Sequence, residues 1–369
     1  MSSLEKLCID LIVQKFELFY CAFSASKDCN LQRNIGFLRR RFSDQLAAAL
    51  YANENLEDQY FEFLMNEHLS SLDGNWFNRR PRKSLENIFC RLPNLERVRF
   101  SACGDQILEW IAKFCPKIAE IDVRHSEVSD KGIEYLCKSE NGIIPCSELK
   151  IIFAWPSRVT SRGAELLIRN LPSLERIDYN VPLLIHRIHE ENLSRSGRVH
   201  IYNLVELNLL RFRKLPIYSD ILRTCLSVCP KLQFFSCYVS NKEELDLFSS
   251  HQFKKLDLQF STAEPIINVD NFLKRNGQSL SYLNTSRCVM SVSALALHCP
   301  VLKEFVAHCV NFSDDNRSFQ PSFPSLTKCT FSDIDPSSCN AICSFISSSP
   351  ALKCISSGPD FDFGGPWAK

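Results

Sequence analysis

The chain has 369 residues, of which 45% are hydrophobic and 23% charged, and its formal net charge is +1. This composition is typical of a folded soluble protein, and so small a charge gives no electrostatic reason to expect nucleic acid or an anionic membrane as a partner. No apolar run approaches the roughly 18 residues that span a bilayer. Glu5, Lys6 and Asp10 interrupt the apolar N-terminal stretch, where a secretory signal needs an uncharged core. We therefore expect a cytoplasmic and/or nuclear protein.

The 18 cysteines do not indicate a disulfide scaffold, because the chain is much longer than the small secreted domains that use one. Many occupy apolar positions of the repeat described below, so we interpret them as small buried hydrophobic residues in a reducing compartment. No Cys-x-x-Cys pair occurs, and the pattern therefore predicts neither a zinc finger nor a redox pair. We expect no metal and no cofactor.

The first predicted element is an amphipathic helix over residues 3–23. Its apolar residues recur at helical spacing and form one stripe, namely Leu4, Leu7, Cys8, Leu11 and Ile12. A polar link at Lys27–Asn34 follows. Residues 35–72 are predicted to form two further helices, whose stripes are Phe42, Leu46, Ala49 and Leu50, then Tyr60, Phe63, Leu64 and Leu69. Residues 1–72 are thus a predicted helical element, and residues 73–84, with glycine, proline and a basic run, a predicted linker.

From residue 85 a phrase of the form Pro-x-Leu-x-x-apolar-x-apolar returns along the chain, as in Pro93–Phe100 and Pro230–Cys237. Its alternating apolar ending predicts a short strand. The leading apolar residues of the phrases are Leu95, Ile118, Leu149, Leu174, Leu204, Leu232, Phe253, Leu280, Leu302, Leu326 and Leu352. Their mean spacing of about 26 residues lies in the leucine-rich repeat range.

Runs with helical periodicity separate the phrases, at residues 105–115, 129–137, 161–171, 219–229, 242–249, 269–275, 291–299 and 336–347. One strand and one helix cannot bury their apolar faces alone, whereas stacked copies can. We therefore predict an α/β fold: a leucine-rich-repeat solenoid of about 11 repeats over residues 85–357, with a curved parallel sheet backed by helices. We interpret residues 182–200 as a polar insertion, 310–322 as a loop and 358–369 as an irregular tail.

The phrases and helix openings such as Val128–Leu136 resemble cysteine-containing leucine-rich repeats, which are common in substrate receptors of multi-subunit ubiquitin ligases. The N-terminal stretch Ser3–Ile12 resembles the elongin-C-binding box (BC-box), a small residue or proline followed by Leu-x-x-x-Cys-x-x-x-aliphatic. Leu4, Cys8 and Ile12 fall one above another on a helix, which is the arrangement of helix-in-groove recognition. The resemblance implies binding to elongin B/C through these three residues.

A box at the N-terminus followed by helices and leucine-rich repeats is similar to the ZYG-11/ZER1 family of cullin-2 ligase receptors, although nothing here corresponds to that family's armadillo domain. The family's cullin-2 box is matched by Phe42-Ser43-Asp44-Gln45-Leu46, with serine in place of proline, which implies cullin contact through Phe42 and Leu46. The resemblance implies a non-catalytic receptor that presents a protein substrate for ubiquitin transfer. Its absent armadillo domain means that no substrate specificity carries over.

Three alternatives remain open. The N-terminal helix can be a plain cap that packs on the first repeats. The chain can be an F-box-like receptor that uses Skp1, although residues 1–72 lack the proline with which that element starts. It can also be a leucine-rich-repeat interaction scaffold with no ligase role. Neither a glycine-rich phosphate loop nor a Gly-x-Ser-x-Gly elbow occurs, so we expect no enzyme activity.

Strand positions that alternate with the core residues define a predicted substrate face. Its basic and aromatic members are Arg97, Arg99, Phe153, Arg176, Phe234 and Tyr282; exposed side chains of these types are natural anchors for a protein, unless capping loops cover them. The run from His186 to Glu191 matches neither His-Glu-x-x-His nor its inverse and is interpreted as a solvated loop. The basic runs at 39–41 and 79–83 are interpreted as a solvated helix face and linker.

Overall fold

The computed structural model describes residues 3–25, 29–52, 64–74, 85–138, 142–212, 214–215, 217–261, 266–313, 322–333 and 335–357, with backbone only at 3–4, 22–25, 29–36, 39, 211, 249, 336 and 357. Several predictions lie outside the described residues: Tyr60 and Phe63, most of the linker, and the tail at 358–369. The chain divides into two compact units, Met1–Tyr179 and Asn180–Lys369, which are described separately. No described helix has both the length and the apolar character needed to cross a membrane.

The first unit begins with three helices, α1 (Ser3–Gln14), α2 (Phe16–Ala25) and α3 (Cys29–Ala52). The single helix predicted over residues 3–23 is therefore two helices, which meet at Lys15. The predicted polar link was wrong from Cys29 onward, where α3 has already begun. Residues 29–34 contain neither proline nor glycine to end a helix, so polarity alone was a poor signal for a break.

The sheet of the first unit has five parallel strands in chain order: β1 (Ser71–Asp73), β2 (Arg97–Arg99), β3 (Glu120–Asp122), β4 (Ile151–Phe153) and β5 (Arg176–Ile177). The helices that alternate with the strands are α4 (Leu85–Phe89), α5 (Asp105–Phe114), α6 (Asp130–Cys137) and α7 (Ser161–Asn170). Strand side chains alternate between buried and exposed in β2 and similarly elsewhere, so one face of the sheet carries the core.

The second unit has a seven-stranded parallel sheet made of β6 (Glu206–Asn208), β7 (Phe234–Val239), β8 (Lys255–Phe260), β10 (Tyr282–Ser286), β12 (Glu304–His308), β14 (Lys328–Ser332) and β15 (Cys354–Ser357). A three-stranded parallel sheet is formed by β9 (Ile267–Asn268), β11 (Cys288–Ser291) and β13 (Asn311–Ser313). The helices are α8 (Pro182–Ser196), α9 (Tyr218–Val228), α10 (Lys242–Asp246), α11 (Asp270–Asn276), α12 (Val292–His298) and α13 (Cys339–Ser347).

The predicted repeat is confirmed in both units. In all eleven phrases the strand begins two residues after the predicted leading apolar residue, from Leu95 before Arg97 to Leu352 before Cys354. Ten of the eleven leading residues are buried, for example Leu95 and Phe253 at 0% exposure, and Leu352 is half-buried. Each unit is therefore a leucine-rich-repeat array of parallel strands backed by helices.

One repeat begins earlier than predicted. Strand β1 lies within the predicted helical element and linker, and it pairs in register with β2, Leu72 opposite Val98. Leu69, which we assigned to a helical stripe, is fully buried and precedes β1 by the same two residues. The sequence did contain a signal for this earlier repeat, because Leu69 lies one mean repeat length before Leu95. The match to a helical stripe concealed that spacing.

Two segments that we predicted to be irregular contain regular secondary structure. Residues 182–200 contain α8, which begins with Pro182, where proline fits a helix, and ends at Gly197 with φ 62°. Leu184, Ile185 and Ile188 of α8 are buried, so the polar residues occupy only its outer faces. The predicted loop at 310–322 begins with β13, whose short length left too few residues for a period to show.

Candidate protein-interaction surfaces

The N-terminal helix α1 buries one stripe of side chains and exposes another. It contacts α3, and its Ile9 and Val13 are only 4% and 3% exposed. Leu7 and Leu11, by contrast, are 66% and 61% exposed. The exposed side chains lie more than a quarter of a turn away from the buried ones, because successive residues are about 100° apart on a helix.

A groove of about 220 Å³ runs along the contact between α1 and α3. Its lining consists of Glu5, Cys8, Ile9, Ile12, Leu38, Phe42 and Leu46. The predicted elongin residues Cys8 and Ile12 therefore share one groove with the predicted cullin residues Phe42 and Leu46, although about thirty residues separate the two motifs. Leu4 lies on α1, but its side chain is outside the described residues.

The members of this groove differ in exposure. Cys8 is exposed, Ile12 and Phe42 are half-buried, and Leu46 is only 1% exposed. A molecule that enters the groove therefore meets Cys8 and Phe42 before it reaches Leu46. At one side, Arg41 forms an ion pair with Glu5 at 3.0 Å (Nη2 to Oε1) and its guanidinium lies 5.5 Å from the Phe42 ring centroid.

More apolar side chains are exposed on the neighbouring helices. Leu18 of α2 is 68% exposed and Phe37 of α3 is 56% exposed. Single exposed apolar residues are ordinary on protein surfaces, whereas contiguous apolar patches mark interaction sites. We call Leu7, Cys8, Leu11, Leu18 and Phe37, together with the groove, the N-terminal apolar surface.

The predicted substrate face of the first unit is a salt-bridged surface. Arg97 and Arg99 are exposed on β2, whereas Phe153 and Arg176 are half-buried. Arg124 binds Asp122 through two contacts, Nε to Oδ1 at 2.9 Å and Nη2 to Oδ2 at 2.7 Å. The same guanidinium lies 5.2 Å from the centre of the Phe153 ring and shields it in part.

Asp122 is largely buried, so it does not form the open outward position that alternation predicts. Burial tends to raise the pKa of its carboxyl, but hydrogen bonds and charge from Arg124, with a smaller contribution from Arg99, outweigh that effect and lower the pKa. Asp122 therefore stays ionised as the centre of this arginine cluster. The signal missed in the sequence was Arg124, which lies just beyond the strand.

In the second unit, residues in register across neighbouring strands form rows on the face opposite the core. One row runs through Phe234, Lys255, Tyr282, Glu304 and Lys328. Its two lysines are engaged: Lys255 Nζ lies 5.1 Å from the Phe234 ring centroid, and Lys328 Nζ lies 2.6 Å from Glu304 Oε1. The predicted face residues Phe234 and Tyr282 are both half-buried.

The adjacent row places Asp257 between Ser236 and Asn284. Burial raises the pKa of the Asp257 carboxyl, opposed by a hydrogen bond from the Asn284 side chain and by the nearby His308. Its Oδ1 atom is shielded from solvent and has no hydrogen-bond partner among the described residues. No described lysine or arginine forms an ion pair with it, which is unusual for an aspartate in such a position. The alternation of the sequence places Asp257 on this face, but it gives no sign that Asp257 lacks a lysine or arginine partner.

The histidine-rich run lies on α8, not in a solvated loop. His186 Nδ1 is 2.9 Å from the Thr224 hydroxyl, which ties α8 to α9. Among the described residues, no three histidine, cysteine, aspartate or glutamate side chains are grouped as a metal site requires.

No protein-family model and no curated protein sequence matches this chain. Three solved structures are similar in fold. A Rad7–Elc1 complex from yeast has a TM-score of 0.49 at 16% identity, covering 99% of this chain and 97% of that one. An internalin (inlF) from Listeria monocytogenes has a TM-score of 0.38 at 11% identity and coverages of 76% and 77%. A TLR13–ssRNA13 complex has a TM-score of 0.35 at 14% identity and coverages of 72% and 41%. At these low sequence identities the similarity concerns the fold, and the partners named for those structures are not transferred to this chain.

Proposed function

We propose that this protein is a non-catalytic substrate receptor of a ubiquitin ligase, which docks elongin C through α1 and holds a protein substrate on its repeats. The observation that carries the proposal is the double character of α1. A helix that served only as a cap would turn its apolar side chains inward. Here Ile9 and Val13 already secure the helix to the unit, and Leu7, Cys8 and Leu11 still face outward.

The BC-box residues fit this role physically. Cys8 is exposed at the groove, and its small side chain allows a partner backbone to come close. Ile12 lies one turn further along, at the margin of the contact with α3. An apolar partner that covers Cys8 and Leu11 removes that surface from water, at about 25 cal/mol for each Å² buried. In this proposal ubiquitin transfer is performed by the partners, so no residue of the chain acts as a catalyst.

The experiment is co-purification of the full chain with elongin B and C. We expect the wild-type chain to bind, and Cys8→Arg and the Leu4→Ala/Cys8→Ala double variant to bind at least tenfold more weakly. Lys6→Ala is the matched control, because Lys6 is exposed on the opposite side of the same helix from Cys8 and does not line the groove. Equal binding by the double variant, or no binding by the wild type, contradicts the proposal.

The cullin is tested in the same purification. We propose cullin-2, with contact through Phe42, and expect Phe42→Ala to reduce cullin-2 recovery while elongin C remains bound. Arg40→Ala is the control, since Arg40 is exposed on the opposite side of the same helix and does not line the groove. Leu46 is a poor test residue because its burial makes substitution a stability change as well. Recovery of Skp1 in place of elongin C decides for the F-box-like alternative, and recovery of neither supports the scaffold.

A further inference from the structure

The sheet face of the second unit contains an aspartate that has no lysine or arginine partner among the described residues. Asp257 lies in the second of the rows described above, with Ser236 on one side and Asn284 on the other. The acidic Glu304 in the first row has Lys328 as its partner, and Lys255, two residues from Asp257, is directed to the Phe234 ring. The basic side chains of this part of the face are therefore committed elsewhere.

A carboxylate oxygen that is shielded from water and accepts no hydrogen bond is costly to the folded chain. The surrounding residues would have allowed a neutral alternative, because the same row carries serine, asparagine and threonine at its other polar positions. Asp257 differs from its near-isostere Asn284 chiefly in its charge. That charge becomes favourable once a cation lies against it.

We propose that Asp257 anchors an arginine or lysine side chain of the bound protein substrate, with Tyr282 on the flanking strand β10 as an aromatic wall of the site. A basic occupant follows from charge complementarity. In the two rows described above, Asp257 has neither a lysine nor an arginine partner among the described residues. Aromatic faces also attract cations, most strongly where water is excluded.

Access to Oδ1 requires a side-chain movement, because the atom is covered in the free protein. Tyr282 lies close enough for the Asp257 charge to raise the pKa of its phenol, secondary to the effect of burial. Tyr282 is half-buried beside this site. His308 on β12 is held instead by its contact with the Ser332 hydroxyl.

This inference rests on the proposed function, because it names the substrate class that the receptor holds. The probe is a library of random peptides displayed on phage and selected on the full chain. We expect selected peptides to share a basic residue at one position. A labelled peptide with arginine there is then compared with the same peptide carrying neutral, nearly isosteric citrulline.

Asp257→Asn is expected to weaken arginine-peptide binding about tenfold to a hundredfold, as for loss of a charge-assisted hydrogen bond. The citrulline peptide is expected to bind Asp257→Asn and wild type equally well. Asp220→Asn is the matched control, because it removes the same charge from an exposed position on α9. Asp257→Asn is also expected to melt no lower than wild type, because it removes an uncompensated charge.

The proposal is overturned if the library yields no binding peptides or if the selected peptides share no basic residue. It is also overturned if replacing arginine by citrulline lowers peptide affinity as much for Asp257→Asn as for the wild type. A melting temperature several degrees below wild type also overturns it, because Asp257 is then a structural residue. Elongin C binding is measured on the same preparations. If the wild-type chain does not bind elongin C, the proposed ligase role is contradicted. If it binds elongin C but the peptide experiments fail, only the present inference is contradicted.

Discussion

At the scale of single residues, the neighbouring helices of the first unit are joined by aspartates. Asp105, at the start of α5, accepts hydrogen bonds from Ser129 N at 2.7 Å and Ser129 Oγ at 2.8 Å, and Ser129 is the N-cap of α6. Asp130, at the start of α6, accepts equivalent bonds from Thr160 at 2.8 and 2.6 Å, and Thr160 caps α7. Each carboxylate therefore joins one repeat to the next.

These links explain two glycines that recur three residues after the caps. A Cβ added to Gly132 would lie 2.6 Å from Asp105 Oδ1, and one added to Gly163 would lie 2.5 Å from Asp130 Oδ1. The glycines are needed because the carboxylates approach the helix backbone closely. The sequence displayed the shared Ser/Thr-to-Gly spacing, but the aspartate that causes it comes from the preceding repeat.

We expect Gly132→Ala to lower the free energy of unfolding by about 1–3 kcal/mol, because displacing Asp105 loses its hydrogen bonds and outweighs the better helix propensity of alanine. Urea unfolding of the full chain measures the change. Gly104→Ala is the control, since a Cβ there meets no atom within 4 Å, and we expect a change below about 0.5 kcal/mol. Equal effects of the two substitutions would show that the close approach is unimportant.

At the scale of elements, a left-handed residue closes the strand of several repeats. Ala102, His125, Arg287, Cys309 and Asp333 have φ between 50° and 59°. Each lies seven positions after the leading residue of its phrase. In the second unit Arg287 forms the corner between β10 and β11, and its N–H donates to His308 O at 2.9 Å. A repeated backbone corner therefore starts the second, three-stranded sheet.

Arg287 is exposed, so substitutions there report on the backbone. We expect Arg287→Gly to be neutral or to stabilise the chain by up to about 1 kcal/mol, because glycine adopts positive φ without steric cost. Arg287→Val is expected to destabilise by more than about 1 kcal/mol, since a β-branched residue is strained in that region. Arg287→Asn controls for loss of the charge. Thermal and urea unfolding decide, and a valine variant as stable as the glycine variant contradicts the assignment.

At the scale of the whole molecule, cysteines help to fill the core of both units. Ten of the described cysteines are buried, as the sequence predicted. Cys115 and Cys146 of the first unit and Cys229 and Cys299 of the second each stand three positions before a leading residue. Each accepts the N–H of that leading residue at its carbonyl, which forms the turn into the strand. Burial raises the pKa of all four thiols to about 12.

This shared shift predicts alkaline sensitivity. Near pH 7 these thiols are protonated in both the folded and unfolded chain, so they add little pH dependence there. Between pH 9 and about 12 only the unfolded thiols ionise. The free energy of unfolding therefore falls as the pH rises, by up to about 1.4 kcal/mol per pH unit for each thiol. Urea unfolding from pH 7 to 10.5 measures this decline.

The matched variants are Cys115→Ala and Cys90→Ala. Cys115 is buried and Cys90 is exposed, and both lie in the first unit. Cys115→Ala is expected to reduce the steepness of the alkaline decline by one thiol's share, although cavity formation lowers its stability at pH 7. Cys90→Ala is expected to leave the decline unchanged. If the free energy of unfolding falls equally with pH in the wild type and in both variants, the decline is caused by titratable groups other than Cys115.

The sequence by itself determined the repeat and therefore the fold. Leucine periodicity placed the eleven strand starts at the observed residues, because each repeat buries the same positions by the same local chemistry. It also singled out Cys8, Ile12 and Phe42, although through two motifs read separately. For α8 and β1 the local pattern misled, because burial of α8 against its neighbours and pairing of β1 with β2 depend on residues remote in sequence.

Only the tertiary structure decided which apolar side chains of α1 face outward and that its groove is shared with α3. It alone showed Asp257 without a basic partner, and the close approach of Asp105 to Gly132. The reason is the same in each case. Periodicity reports which side of an element is apolar, whereas exposure, pairing and charge balance are set by what the neighbouring elements bring to that side.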